Sequence, residues 1–76
     1  MNKEEFLINF TNLFEETEVS QITLQTNFRD LEEWSSLLTL STIAMCDEEY
    51  GLKITTKEIT GAMTVEDLFN ILKNKH

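Results

Sequence analysis

The chain is poor in the residues that break helices, crosslink chains or bind polyanions. Its 76 residues include no proline, 2 glycines, 1 cysteine and 1 histidine. Without proline and with little glycine, helices joined by polar loops are favoured over a sheet with many tight turns. The single cysteine, Cys46, forms no internal disulfide, so no oxidising compartment is implied. No apolar run reaches membrane-spanning length, and we expect a cytoplasmic protein without stable membrane insertion.

Basic residues are also few, since 6 Lys and Arg stand against 14 Asp and Glu and give a net charge of −8. A nucleic-acid binder needs basic side chains to displace counterions from phosphates, so that function is not expected. An anionic membrane surface repels such a chain as well. The acidity fits a basic partner steered in by the electrostatic field, and it equally fits a charge that only maintains solubility.

The apolar pattern predicts one all-α domain over residues 1–76. A helix predicted over 3–15 carries four apolar side chains on one face: Phe6, Phe10, Leu13 and Phe14. Residues 16–35 show no sustained period and predict a long loop, pinned by its apolar residues and holding a short helical turn near 28–32. The alternation in "ITLQT" resembles a strand, but it has no partner strand and is not expected to pair.

A second helix is predicted over residues 36–50, where Ser35 or Ser36 suits the N-cap and Gly51 suits the C-terminal stop. Its predicted inner face consists of Leu40, Ile43, Cys46 and Tyr50, with Leu37 and Ala44 nearby.

Two capping signals follow. Thr55 and Glu58 have capping-box spacing and predict a short third helix of about two turns. Thr64 and Asp67 repeat that spacing before a final helix predicted over 65–74. The expected fold is therefore a small bundle of three main helices plus one short helix, with a long loop between helices 1 and 2.

Catalytic and metal-binding signals are weak. The only histidine, His76, lies at a terminus and has no orienting partner, so neither Ser36 nor Cys46 has a base to activate it. Residues 47–58 superficially resemble a calcium loop, but their glycine occupies a ligand position and the first four residues are needed for helix 2. We expect no enzyme and no metal site.

Ser36 has two interpretations. It caps helix 2, with a value of about 1 kcal/mol, or it is an attachment site. Free N–H groups and the positive dipole at a helix N-terminus favour a phosphate on that oxygen. Position alone leaves both open.

The segment "FRDLEEWSSLLTLSTIAMCDEEYGLKI" resembles the core of acyl carrier proteins, a family with a D-S-L motif at the start of its second helix. The resembling positions are Phe28, Asp30, Leu31, Trp34, Ser36 with Leu37, Asp47 to Gly51, Ile54 and the run "TVEDLFNIL". No single piece is specific, but the ordered set covers nearly the whole chain.

The resemblance implies covalent carriage. A 4′-phosphopantetheine arm from coenzyme A, installed on Ser36 by a phosphopantetheinyl transferase, holds an acyl or aminoacyl group as a thioester on its own thiol. Loading and transfer enzymes with basic patches then dock on a monomer through Glu33, Ser35, Leu37, Asp47 and Glu48. The resemblance also implies an apolar cleft near Leu40, Ile54, Ile59 and Ala62 that shelters the cargo, although for each of these four taken singly an ordinary core position is the safer interpretation.

The chain also departs from that family. Ser35 stands where the motif has an aspartate, and Leu38, Ser41 and Thr42 replace further acids of the helix. We expect altered partner recognition, by dedicated enzymes. The alternative is a small acidic helical interaction module, or an unmodified carrier-like fold, that docks a basic partner through helix 2 without cargo. The sequence does not distinguish fatty acyl, polyketide, D-alanyl and other aminoacyl cargo.

Overall fold

The computed structural model describes residues 1–76 as four α-helices without a β-strand, which confirms the predicted all-α bundle. The helices are α1 (Lys3–Thr11), α2 (Ser36–Tyr50), α3 (Thr56–Gly61) and α4 (Val65–Lys75). Two short 3₁₀ helices, Val19–Gln21 and Phe28–Asp30, lie in the segment between α1 and α2. None of the helices is both long enough and apolar enough to cross a membrane.

The ends of α2, α3 and α4 follow the capping signals of the sequence. Gly51 adopts φ 65° after α2, a left-handed conformation that glycine takes without a Cβ penalty. At α3, the Thr55 hydroxyl accepts from the Glu58 N–H while the Glu58 carboxylate accepts from the Thr55 N–H. Thr64 and Asp67 form the same reciprocal pair at α4.

Helix α1 is shorter than predicted: it ends at Thr11 and not at residue 15. The chain tightens there, because the Leu13 N–H bonds the Phe10 carbonyl at 3.1 Å and the Phe14 N–H bonds the Thr11 carbonyl at 3.0 Å. These are three-residue turns of 3₁₀ type. These turns still direct Phe14 into the core, where it is 7% exposed. The spacing of the apolar residues therefore predicted the burial of Phe14 correctly, although it lies beyond the end of the α-helix.

An aromatic cluster fills the core. Phe6, Phe10 and Phe28 are completely buried. The half-buried Trp34 packs edge-on against Phe28 with ring centroids 4.8 Å apart. Aromatic pairs at such geometry add about 0.5–1.5 kcal/mol to their area burial.

Helices α1 and α4 are neighbours despite their separation along the chain. The rings of Phe6 and Phe69 lie 5.9 Å apart, and the Lys3 ammonium contacts the Glu66 carboxylate at 2.8 Å. The apolar contact dominates this pairing, since exposed ion pairs contribute little to stability.

The loop between α1 and α2 completes the N-terminus of α4. The carbonyls of Thr26 and Leu24 accept hydrogen bonds from the first N–H groups of α4, those of Val65 at 3.2 Å and Glu66 at 2.9 Å. Two of the four amides that every helix start leaves unpaired are thereby satisfied. Ile22, 3% exposed, anchors the same loop in the core, as expected of its apolar residues.

The predicted inner face of α2 was wrong in part. The helix buries Leu38, Thr42, Met45 and Cys46. Cys46 thus faces the core as expected, but Leu40 is 61% exposed, and Leu37 and Ala44 are exposed as well. Apolar residues occur on every side of this helix, so the spacing of apolar residues alone does not determine which side faces the core. Thr42 is accommodated because its hydroxyl donates to the Leu38 carbonyl at 2.8 Å.

Candidate functional site

The two serines at the start of α2 have different roles. Ser35 has an extended backbone, and its hydroxyl accepts a hydrogen bond from the Leu38 N–H at 3.4 Å. Its carbonyl accepts from both the N–H and the hydroxyl of Thr39, at 3.0 and 3.2 Å. Ser35 is therefore the N-cap, and Ser36 is the first residue of the helix.

Ser36 is exposed and opens a surface groove between α2 and α3. This Ser36 groove has a volume of about 380 Å³ and is lined by Ser36, Thr39, Leu40, Thr56 and Thr60. The hydroxyl at position 36 is thus accessible from outside, at the positive end of a helix of 15 residues. A phosphoryl group on that oxygen meets favourable backbone charge.

The side of α2 turned away from the core forms an outer stripe that changes character along its length. Near Ser36 the stripe is apolar, with Leu37 71% and Leu40 61% exposed, followed by the exposed Ala44. At its far end stand the exposed acids Asp47 and Glu48. Two leucines this exposed on so small a domain mark the stripe as a candidate contact surface.

Asp47 has a partner inside the chain. Its carboxylate contacts the Lys53 ammonium at 3.1 Å, in an exposed ion pair. Because exposed pairs are weak, the carboxylate stays available to an arriving cation. Asp47 also lies within α2, as the argument against a calcium loop required.

Glu33, which the resemblance placed among the docking residues, is engaged within the fold. Its Oε2 accepts from the Glu15 N–H at 2.7 Å. Its Oε1 accepts from the Glu16 N–H at 3.0 Å, and from the N–H and hydroxyl of Thr17 at 2.9 and 2.8 Å. We call this arrangement the Glu33 clamp. It closes the turn that follows α1 onto the residues just before α2.

The clamp lowers the pKa of Glu33. Partial desolvation of the carboxylate acts in the opposite direction, but the hydrogen bonds from Glu15, Thr17 and Glu16 outweigh it. Charge-assisted bonds of this kind favour the ionised form. Glu33 is therefore a structural anion in the folded protein.

The four residues assigned to an apolar cleft are divided by the structure. Ile54, Ile59 and Ala62 are 3%, 2% and 2% exposed and belong to the packed core. Leu40 lies outside, on the wall of the Ser36 groove. None of the surface pockets is lined by any of the three buried residues.

The remaining candidates are placed as follows. Cys46 is fully buried, and burial raises the pKa of its thiol to about 12, so it is protonated at neutral pH. His76 is the exposed C-cap of α4. Neither contributes to the Ser36 groove.

Sequence reasoning missed the threonines of the groove. Thr39 follows Ser36 by three residues, a spacing that places both on one side of α2 and was available as a signal. Thr56 and Thr60 have the same relation within α3, but their approach to α2 depends on tertiary packing.

Compared with known protein families, curated proteins and solved structures, the chain matches none.

Proposed function

We propose that the protein is a carrier that bears 4′-phosphopantetheine on Ser36 and presents an acyl or aminoacyl thioester to partner enzymes, without being an enzyme itself. The observation that carries this proposal is the division of labour between the serines. Ser35 caps α2, while the Ser36 side chain stands exposed at the first helical position. The ordered resemblance to acyl carrier proteins supplies the identity of the arm.

Attachment needs a phosphoryl transfer that the chain does not perform alone. Ser36 Oγ forms a bond to the phosphorus of the phosphopantetheine moiety, the pyrophosphate bond of coenzyme A breaks, and adenosine bisphosphate leaves. The hydroxyl proton must pass to a base. No carboxylate, histidine or lysine lines the groove around Ser36, so the proposal assigns this base to the phosphopantetheinyl transferase.

Partner enzymes dock on the outer stripe of α2 in this proposal. Leu37 and Leu40 offer apolar contacts beside the arm, and Asp47 and Glu48 offer negative charge at the other end. The net charge of −8 accelerates the approach of a basic surface and makes the association sensitive to salt. We further propose a cytoplasmic monomer that meets these enzymes transiently.

Intact mass spectrometry tests the proposal. The protein is incubated with coenzyme A and several phosphopantetheinyl transferases. We expect the wild type and Ser35→Ala to gain the mass of one phosphopantetheine, and Ser36→Ala to gain none. Ser35→Ala is the matched control because it removes the neighbouring hydroxyl and leaves residue 36 intact. An unmodified wild type with every transferase, or a modified Ser36→Ala, contradicts the proposal.

The exposed stripe also favours a second candidate, an interaction module that docks a basic partner through α2 and carries nothing. Leu37 and Leu40 serve either function, because a docking surface does not require an arm. An unchanged mass combined with loss of partner binding in Leu37→Ser selects this candidate.

A further inference from the structure

We propose that Glu33 is a positioning residue for the modification of Ser36: the Glu33 clamp fixes the segment before α2 and thereby orients the Ser36 hydroxyl toward the incoming phosphopantetheine. This inference rests on the proposed attachment at Ser36. It replaces the docking role that the resemblance implied for Glu33 with a role inside the chain.

The Glu33 carboxylate is occupied by its own chain. It accepts hydrogen bonds from three consecutive backbone N–H groups, those of Glu15, Glu16 and Thr17, and from the Thr17 hydroxyl, at distances from 2.7 to 3.0 Å. A carboxylate has about four lone-pair sites, so these four donors leave little for a basic side chain of a partner. The neighbouring Glu32 is exposed and takes no part in the clamp.

The clamp lies close to Ser36 along the chain. Three peptide bonds separate Glu33 from Ser36, so their Cα atoms are at most about 11 Å apart. Between them, Trp34 packs edge-on against Phe28 with ring centroids 4.8 Å apart, and Ser35 caps α2. Glu33 and Trp34 are therefore two consecutive anchors, one polar and one aromatic, directly before the two exposed serines.

The N-cap alone holds the start of α2 weakly. The Ser35 hydroxyl accepts from the Leu38 N–H at 3.4 Å, which is long for a hydrogen bond. The N–H groups of the first helical turn have no intrahelical partners, and helix ends fray. Hydrogen bonds to a carboxylate are shorter and roughly twice as strong as neutral ones. The clamp therefore contributes more than the cap to fixing where α2 begins.

Orientation matters for this reaction because Ser36 Oγ must approach the phosphorus of coenzyme A in line with the leaving adenosine bisphosphate. A misplacement of about 1 Å, caused by a change far from the chemistry, can cost on the order of 100-fold in rate. Loss of an orienting contact lowers kcat, whereas loss of a docking charge raises KM and has less effect when salt screens the charges. Positioning and docking by Glu33 therefore predict different kinetics.

Steady-state kinetics test the inference, with the transferase that modifies the wild type and at a temperature where circular dichroism shows every variant to be folded. Glu33→Gln should lower kcat by about tenfold and change KM by less than about twofold. The loss of kcat should persist in about 0.5 M salt, where exposed charges are screened. Glu32→Gln removes the same charge outside the clamp and should keep the wild-type kcat.

A second pair of variants reaches the clamp from its other side. Thr17→Val removes one donor to Glu33 at a residue outside the outer stripe. It should lower kcat by about threefold, and Thr17→Ser, which keeps the hydroxyl, should retain the wild-type value. Leu72→Val alters a buried residue of α4 outside the clamp, so it controls for lost stability and should leave kcat unchanged.

Equal increases of KM in Glu33→Gln and Glu32→Gln that disappear in salt identify Glu33 as a docking charge and overturn the inference. A wild-type kcat in both Glu33→Gln and Thr17→Val overturns it as well, and so does a loss of kcat in Leu72→Val equal to that in Thr17→Val. All of these outcomes require a wild type that gains the arm. They therefore differ from an absent mass gain, which contradicts the proposed function itself.

Discussion

Residues 33–34, just before α2, and residues 36–37, at its start, differ in how far their side chains are engaged in the fold. On the loop side, the Glu33 carboxylate accepts four hydrogen bonds, and Trp34 packs into the aromatic core. On the helix side, a few residues later, Ser36 and Leu37 are exposed to solvent. Glu33 and Trp34 make their contacts within the folded chain. The side chains of Ser36 and Leu37 make few such contacts and remain accessible to solvent.

This difference separates stability from function within a small domain. Domains of 76 residues typically have a free energy of unfolding of roughly 5–10 kcal/mol. With so small a margin, apolar side chains that stay exposed and add nothing to the core are unfavourable. The leucines of the outer stripe contribute little to that stability, so their presence needs another reason. The Glu33 clamp ties the residues just before α2 to the turn after α1, and the leucines of the outer stripe are exposed beside it.

The largest effect is expected from the buried side. Phe10→Ala removes a fully buried ring that lies 5.2 Å from Phe14 and 5.9 Å from Phe28. It should lower the free energy of unfolding by about 3–5 kcal/mol, because a cavity adds to the lost transfer energy. Urea unfolding followed by circular dichroism measures the change. Leu40→Ala is the counterpart on the outer stripe and should change it by less than about 0.5 kcal/mol. Comparable losses of unfolding free energy in Phe10→Ala and Leu40→Ala would contradict the distinction between a stabilising core and an outer stripe that does not contribute to stability.

A smaller effect is expected at the clamp. Glu33→Gln replaces an oxygen by an amide donor that cannot accept a backbone N–H, so the melting temperature should fall by several degrees at pH 7. Glu32→Gln removes the same charge from an exposed neighbour and should leave the melting temperature nearly unchanged.

The clamp also predicts how this difference depends on pH. The folded pKa of Glu33 lies below its ordinary value of 4.5. Its contribution is therefore complete above pH 4.5 and is lost as the pH falls through the folded pKa. The melting temperatures of wild type and Glu33→Gln should therefore approach one another as the pH falls below 4.5. A gap that persists unchanged at low pH shows that the carboxylate charge is not the stabilising feature.

The smallest effect separates the two serines. Ser35→Ala removes the N-cap of α2, but the bond to the Leu38 N–H is long, at 3.4 Å. We expect a loss of about 0.5 kcal/mol, at the low end for caps. Ser36→Ala should be neutral or slightly stabilising, because alanine has the higher helix propensity. Chemical denaturation of the two variants in parallel provides the measurement, and a larger loss at position 36 reverses the assignment of the cap.

Local signals predicted much of the fold. The limits of α2, and both capping boxes, follow from neighbouring residues alone, such as Thr55 with Glu58 and Gly51 after Tyr50. The end of α1 could not be predicted in this way, because no helix stop signal lies between Thr11, where the helix ends, and Phe14, which continues the helical spacing of apolar residues. The inner face of α2 failed for a related reason, since leucine occupies positions 37, 38 and 40 and only tertiary packing decides which is buried.

The candidate site divides in the same way. The sequence places a helix start at the two serines but leaves open which of them is the N-cap, and the structure assigns that role to Ser35 and leaves Ser36 exposed. The engagement of Glu33 with Glu15, Glu16 and Thr17 joins segments distant along the chain, so no local pattern announces it. The approach of Thr56 and Thr60 to α2 is likewise a product of the folded chain.

The pairing of α1 with α4 has a consequence for biosynthesis. Phe6 is synthesised well before Phe69, against which it packs. The amides of Val65 and Glu66 that meet the loop carbonyls arrive equally late. Phe6 therefore lacks its α4 partner until that helix has been synthesised, and chaperone contact should be concentrated in that interval.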